Sequence, residues 1–234
     1  MFKNFFVILL FACFVSESDK EYTLDELIGK GSPEFYGEGY QLQKEAYDAF
    51  LLMKAEALIS GIDIEIVSSY RSFEHQKRIW TRKYMKFISE GLTPSETIDK
   101  IIEYSTIPGT SRHHWGTDVD IIDGSKKAPK NVLNSNNFLD NNVYSELRIW
   151  LEENANKFGF YLVYTNDTSR KGFKYEPWHY SYKPLSKPML KQYLKVDIQK
   201  LLKSEELQGS KYFTDEFIDK YIIQNICAIN TSLK

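Results

Sequence analysis

Apolar and polar positions follow two different periods in the first part of the chain. Residues 41–60 carry apolar side chains at helical spacing, and Gly61 is placed to end the helix. Ile62, Ile64 and Ile66 then alternate with acidic residues. Such alternation predicts a strand that buries one face.

Two more helices are predicted after that strand. Ser72 can cap a helix that runs to about Glu90, with an aromatic stripe on one side. Another helix begins near Pro94 and ends before Ser105. After a loop, a short strand is predicted over residues 117–122.

The second half of the chain continues to mix helices with strands. Residues 131–142 are rich in asparagine and predict a surface loop, and 143–158 have helical periodicity. Strands are predicted at 160–164 and 173–182, and two helices within 187–234. Irregular interleaving of this kind predicts an α+β fold, in which helices flank a small, mainly antiparallel sheet and a helical extension follows.

Composition agrees with a globular enzyme and argues against one class of partner. The 234 residues, 42% hydrophobic and 26% charged, suffice for one domain with a substantial core. The formal net charge is −2. Binding to nucleic acid is therefore not expected, because it normally needs a clustered basic face.

The N-terminal residues predict export. Lys3 precedes an apolar run over residues 5–15, which is too short to span a bilayer and suits a secretory signal. Two alternatives stay open within residues 1–18. Cys13 lies in a segment that loosely resembles a bacterial lipobox and would be lipidated, or an ordinary signal peptidase cleaves near Ser16 or Ser18.

Two short segments carry the residues of a hydrolytic metal site. Residues 111–120 are SRHHWGTDVD, and residues 176–179 are EPWH. Histidine and carboxylate side chains of this kind hold zinc through three ligands and leave a fourth position for water. The metal lowers the pKa of that water, and a carboxylate that is not a ligand takes the proton.

The spacing SxHxxGxxxD followed by ExxH resembles the LAS group of zinc metallopeptidases, and within it the VanY-like peptidoglycan carboxypeptidases. The resemblance implies a LAS/hedgehog-like fold and one Zn²⁺ per chain, held by His113, Asp120 and His179. Glu176 is then the general base. A third motif, SSYRS at 68–72, is similar to the substrate-binding SGYRS segment of the family.

Substrate contacts are expected from four further residues. The planar guanidinium of Arg71 can hold a free C-terminal carboxylate through two hydrogen bonds, and Ser111 could add one more. The resemblance places Gln76 against the substrate peptide. Trp178 is a candidate for substrate binding and for core packing, and both roles are compatible.

The ExxH motif poses a geometric problem, since residues three apart on a regular strand face opposite ways. Glu176 and His179 can share a site only if the chain turns between them. Pro177 fixes its own φ and disfavours helical geometry in the residue before it. We therefore predict a turn at this proline.

Three other polar residues near the motifs are ambiguous. On a strand, Asp118 shares the face of Asp120, although many family members carry a small residue there. It either orients a ligand histidine through a hydrogen bond or points to solvent at the strand end. His114 is interpreted as packing or supporting a ligand, and His75 as a solvated surface residue.

The resemblance implies a zinc carboxypeptidase that removes the terminal D-alanine from peptidoglycan stem peptides. The expected organisation is an export signal at 1–18, a lead-in at 19–39, the carboxypeptidase domain at 40–184 and the extension at 185–234. We expect an exported, monomeric cell-envelope or periplasmic protein. Alternatives are an L,D-carboxypeptidase or endopeptidase and, more remotely, a non-catalytic cell-wall binding protein, which would not need Glu176.

Overall fold

The computed structural model describes residues 20–234 of the chain. The predicted export segment, including Cys13, lies outside these residues. Within the described range, no helix has both the length and the apolar character needed to cross a membrane.

Eight α-helices and four strands make up the secondary structure of residues 20–234, together with short 3₁₀ segments. The helices are α1 (Leu24–Ile28), α2 (Lys44–Ile59), α3 (Phe73–Ser89), α4 (Pro94–Ile101), α5 (Ser145–Asn154), α6 (Lys183–Tyr193), α7 (Ile198–Ser204) and α8 (Asp215–Tyr221), and the strands are β1 (Ile64–Ser68), β2 (Asp118–Asp123), β3 (Phe160–Leu162) and β4 (His179–Tyr182).

The four strands form one antiparallel sheet in the order β1-β2-β4-β3. Helices flank this sheet, so the predicted α+β class with a small antiparallel sheet is confirmed. As predicted, Ser72 caps α3 by accepting a hydrogen bond from the backbone N–H of His75. Thr93 caps α4, and Pro94 is its first residue.

The register of the two central strands gathers polar side chains on one face. Asp118 pairs with Ser181 and Asp120 pairs with His179. Because side chains alternate along a strand and paired residues face the same way, these four side chains lie together. Val119, between them, enters the opposite hydrophobic core against α2 and α5.

Two expectations about strands and helices are wrong in detail. The strand predicted at 173–182 is paired only from His179, because the backbone N–H of His179 turns back to the carbonyl of Glu176 at 3.1 Å. This is the turn predicted at Pro177. Residues 187–234 contain three described helices rather than two, since the apolar pattern there is interrupted by short 3₁₀ and π segments.

The C-terminal helices share a hydrophobic core with α3 and α4. Tyr193 of α6, Leu202 of α7 and Ile218 of α8 are buried in the same cluster as Phe73 and Trp80 of α3. This cluster lies beside the segment that leads to the histidine motif, so the extension packs directly against the part of the chain that carries the candidate site.

Candidate active site

The three candidate metal ligands lie close together although they come from three different elements of the chain. His113 lies in a 3₁₀ segment (Arg112–Trp115), Asp120 on β2, and His179 at the start of β4. Their ligand atoms all lie within 4.8 Å of one another, and all three residues are buried. The cross-strand pairing of Asp120 with His179 explains part of this convergence.

His113 offers one ring nitrogen to the site. Its Nδ1–H donates to the carbonyl of Ser69 at 2.8 Å, so Nε2 is the free nitrogen, 3.4 Å from Oδ2 of Asp120. Burial and the nearby Arg71 lower the pKa of His113 to about 4. The ring is therefore neutral near pH 7, with a lone pair on Nε2 available to a metal.

His179 faces the site with its other nitrogen. Its Nε2–H donates to Oδ2 of Asp118 at 2.9 Å, while Nδ1 lies 3.0 Å from Oε2 of Glu176 and 4.0 Å from Oδ1 of Asp120. Burial alone would lower its pKa, but the hydrogen bonds that its ring donates to Asp118 and Glu176 raise the pKa to about 9. A metal bound at Nδ1 would replace the proton on that nitrogen.

The buried atoms of this cluster fit a single cation. Nε2 of His113 and Oδ1 of Asp120 are buried without a hydrogen-bond partner among the described residues. Burial opposes ionisation of Asp120, but His113, His179 and Arg71 hold its pKa at about 2, so it is a carboxylate. A donor set of two imidazoles and one carboxylate suits Zn²⁺.

Asp118 orients a candidate ligand histidine and does not point to solvent, the other position considered for it. It is fully buried, and its two oxygens accept from Arg112 Nε at 3.0 Å, Ser181 Oγ at 2.6 Å and Thr117 Oγ1 at 2.8 Å as well as from His179. Burial opposes its charge, but Arg112 and His179 hold its pKa far below the usual range. Asp118 therefore fixes which nitrogen of His179 faces the site.

Glu176 supplies a second kind of carboxylate beside the ligands. It is 6% exposed and lies at the turn before β4. Burial raises its pKa above the ordinary glutamate value, while the contact with His179 acts against that shift. A carboxyl group of raised pKa next to a metal site can both accept and return a proton.

The site opens into a small cleft of about 30 Å³. Arg71 and Ser111 line this cleft with Glu176. The Arg71 side chain is 17% exposed, with Nη2 3.4 Å from Oδ2 of Asp120, so it lies directly beside the metal ligands. Ser111 also accepts a hydrogen bond from the backbone N–H of His113 at 3.3 Å.

The structure departs from the expectation of direct substrate contact for two residues. Gln76 has no exposed surface. It accepts a hydrogen bond from Arg71 at 3.1 Å and donates to the carbonyl of Thr106 at 2.8 Å, so it holds Arg71 from behind. Trp178 is 4% exposed and packs in the core, with its ring centroid 5.8 Å from that of Phe138.

The sequence analysis missed several residues that shape the site. Arg112 and Ser181 both hydrogen-bond to Asp118, and the ring of Tyr164 packs edge-on against that of His179 at 5.2 Å and lines the cleft. Period-two spacing from His179 could have indicated Ser181. No sequence signal marks the other two.

The remaining histidines do not face the ligand cluster. His114 is buried, but its ring hydrogen-bonds to the backbones of Arg71 and Gly109. Burial lowers its pKa to about 3, so it is neutral. His75 is exposed on α3, which agrees with the expected surface position.

Three buried side chains that can hold a metal, with a free acid beside them, form the arrangement found in metallohydrolases. The family model for VanY, D-alanyl-D-alanine carboxypeptidase, matches residues 39–185. The chain therefore belongs to the VanY family, and the resemblance drawn from its motifs is confirmed.

A relative of known sequence agrees with this assignment. A D-alanyl-D-alanine carboxypeptidase of Enterococcus faecalis is 33% identical over 128 residues, which are 54% of this chain and 42% of that protein. The chain thus spans less than half the length of that relative.

Two solved structures share the fold. The vancomycin-resistance D,D-pentapeptidase VanY of a VanB-type cassette, solved as a mutant with Zn(II), has a TM-score of 0.53 and 24% identity, covering 69% of this chain and 83% of its own. VanYB in complex with D-alanine-D-alanine has a TM-score of 0.54 and 22% identity, covering 76% and 92%.

Proposed function

We propose that the protein is a zinc carboxypeptidase that removes the terminal D-alanine from peptidoglycan stem peptides. The observation that supports this most is the joint burial of His113, Asp120 and His179 beside Glu176, at a cleft that Arg71 also lines. Membership of the VanY family supports the substrate class. A binding-only protein would have no need of Glu176.

Each protein group has a separate task in the proposed hydrolysis. His113, Asp120 and His179 would hold Zn²⁺, and the bound metal would supply the Lewis acidity that lowers the pKa of water and polarises the scissile carbonyl. Glu176 accepts the proton of the attacking water and later passes it to the leaving amine. Asp118 keeps Nδ1 of His179 directed at the site throughout.

Arg71 is proposed to select a free C-terminus. In the last residue of a peptide, the scissile bond and the terminal carboxylate are separated by about one residue, roughly 4 Å. An arginine that touches the metal ligand Asp120 is therefore close enough to reach that carboxylate. Ser111, on the wall of the same cleft, can donate a further hydrogen bond.

Mass analysis of stem peptides tests this function. The zinc-loaded protein is incubated with pentapeptide and tetrapeptide stems, each with a free-acid or amidated C-terminus, and with cross-linked dimers. Loss of one alanine from free-acid pentapeptides alone supports the D,D-carboxypeptidase. Cleavage of tetrapeptides would make it an L,D-carboxypeptidase, cleavage of dimers an endopeptidase, and equal turnover of acid and amide would refute the carboxypeptidase.

The same proposal includes a location outside the cytoplasm. Residues 1–18 would direct export to the cell envelope or periplasm, where the stem peptide is found, and the mature protein would act as a monomer. Attachment to the membrane through a lipidated Cys13 is tested by labelling cells with a fatty-acid analogue. The label should be lost in Cys13→Ala, and no label in the unchanged protein would favour the ordinary signal peptide.

A further inference from the structure

The C-terminal extension makes hydrogen bonds to the loop that precedes the histidine motif. The hydroxyl of Tyr193 donates to the carbonyl of Gly109 at 2.8 Å, and that of Tyr221 accepts from the backbone N–H of Ile107 at 3.1 Å. Both tyrosines are 1% exposed. They lie outside residues 39–185, the region that matches the family.

His114 connects the loop at Gly109 to the backbone of Arg71. The backbone N–H of Gly109 donates to Nε2 of His114 at 3.1 Å, and Nδ1–H of His114 donates to the carbonyl of Arg71 at 2.6 Å. Each ring nitrogen thus has one backbone partner, one as acceptor and one as donor. A single side chain bridges the extension-bound loop and the segment that carries Arg71.

The His114 ring also lies close to the backbone of Gly29. A Cβ atom added at Gly29 would lie 2.4 Å from Nδ1 of His114, far inside van der Waals contact. Gly29 also ends α1 with φ at +78°, which favours glycine. The Gly29 backbone therefore covers this side of the ring, and only 1% of His114 is exposed.

The backbone of Arg71 depends on the histidine motif at both its polar groups. Its N–H donates to the carbonyl of His113 at 3.0 Å, and its carbonyl accepts from His114. Gln76 holds the end of the side chain. The direction in which the guanidinium enters the cleft is thus set by His113, His114 and Gln76 together.

We infer that His114 is a positioning residue that fixes Arg71 for the substrate's C-terminal carboxylate, and that Tyr193 makes the extension part of this substrate site. The inference rests on the proposed function, in which Arg71 contacts the substrate. Neither His114 nor Tyr193 touches the metal ligand atoms, so their effect should fall on substrate binding and spare zinc.

Full-length zinc-loaded variants test the inference by kinetics and by binding. His114→Phe removes both hydrogen bonds of the ring, His114→Gln offers an amide donor and acceptor in their place, and Tyr193→Phe removes one hydroxyl. Tyr212→Phe is the matched control, since its half-buried ring lies in the extension and its hydroxyl makes no hydrogen bond with a described residue. Affinity for free-acid and amidated stem peptides is measured by calorimetry in the inactive Glu176→Gln background.

We expect His114→Phe to retain one zinc per chain and to raise KM for the free-acid peptide roughly 2-fold to 10-fold, the value of one or two net hydrogen bonds. Its preference for acid over amide should shrink by a similar factor, while kcat changes less. His114→Gln should recover part of the preference, and Tyr193→Phe should show a smaller loss in the same direction. Tyr212→Phe should match the unchanged protein.

Other outcomes separate the inference from the proposed function. If His114→Phe and Tyr193→Phe lower activity on acid and amide peptides equally, in step with lost thermal stability, their role is structural and the inference is overturned. If His114→Phe does not fold, unchanged acid preference in both His114→Gln and Tyr193→Phe overturns it. If the wild-type protein does not distinguish free-acid from amidated peptides, the role proposed for Arg71 is refuted instead.

Discussion

Replacing Asp118 by asparagine removes a buried charge without changing the shape of the side chain. Its carboxylate accepts from four donors, which are Arg112 and His179 at Oδ2 and Thr117 and Ser181 at Oδ1. An asparagine amide has one oxygen and one NH₂ group. When its oxygen faces Arg112 and His179, its NH₂ group faces the hydroxyls of Thr117 and Ser181, which must turn to accept; in the other orientation the NH₂ group faces two donors.

The stability lost in Asp118→Asn depends on how deeply Arg112 and His179 are buried. The side chain of Arg112 is 5% exposed and that of His179 also 5%. Removing one member of a buried ion pair costs about 3–5 kcal/mol, because the other charge stays buried without compensation. The amide oxygen can still accept from Arg112, so we expect about 3 kcal/mol less stability to unfolding for the metal-free protein.

The same substitution should weaken zinc, because Asp118 orients a ligand ring. Loss of such an orienting partner typically costs 10-fold to 100-fold in metal affinity. Zinc affinity is measured by competition with a chromogenic chelator, and the free energy of unfolding by urea titration of the metal-free protein. Thr117→Val is the matched control, since it removes one neutral hydrogen bond to the same carboxylate and should cost only about 1 kcal/mol.

Two results would refute this account of Asp118. One is a zinc affinity in Asp118→Asn within about twofold of the unchanged protein, against the 10-fold or greater loss expected for an orienting partner. The other is an unfolding free energy no lower than that of Thr117→Val. Either would mean that the buried ion pair with Arg112 and the contact with His179 do not act as one unit.

Three further predictions concern the groups that are proposed to do the chemistry. His113→Ala should lose stoichiometric zinc and activity in metal analysis, whereas His114→Ala should retain zinc; full zinc in His113→Ala would refute the ligand assignment. Glu176→Gln should keep zinc while kcat falls roughly 10²-fold to 10⁴-fold, and loss of zinc would make Glu176 a ligand. Arg71→Ala should keep zinc but lose the preference for free-acid over amidated peptides, which we expect to be roughly 10-fold to 150-fold; an undiminished preference would contradict the carboxylate contact.

The sequence predicted the class of sheet from local periodicity, whereas the grouping of His113, Asp120 and His179 was implied by the resemblance of its motifs to the LAS group. Two-residue alternation places Asp118 and Asp120 on one strand face. The turn at Pro177 then lets Glu176 and His179 approach the same point, as the structure shows. These features need only short segments and the rules for strands and proline.

Partners that come from distant segments could not be predicted in the same way. Periodicity gives the face of Asp118, but it does not say that Arg112 and Ser181 cover that face. The motif around Arg71 includes Gln76, but the spacing cannot tell whether that amide faces the cleft or lies behind the arginine. The depth of Gln76 is decided by the carbonyl of Thr106, thirty residues away, to which it donates.

The C-terminal extension shows most clearly why metal ligands are easier to find in a sequence than the residues that hold the site in place. A metal ligand must be histidine, cysteine or a carboxylate, so the choice of residue itself carries a signal. The contact between Tyr193 and Gly109 needs only a hydroxyl and a backbone carbonyl. Every residue has such a carbonyl, so the contact leaves no pattern in the sequence, although through it the extension holds the loop before His113.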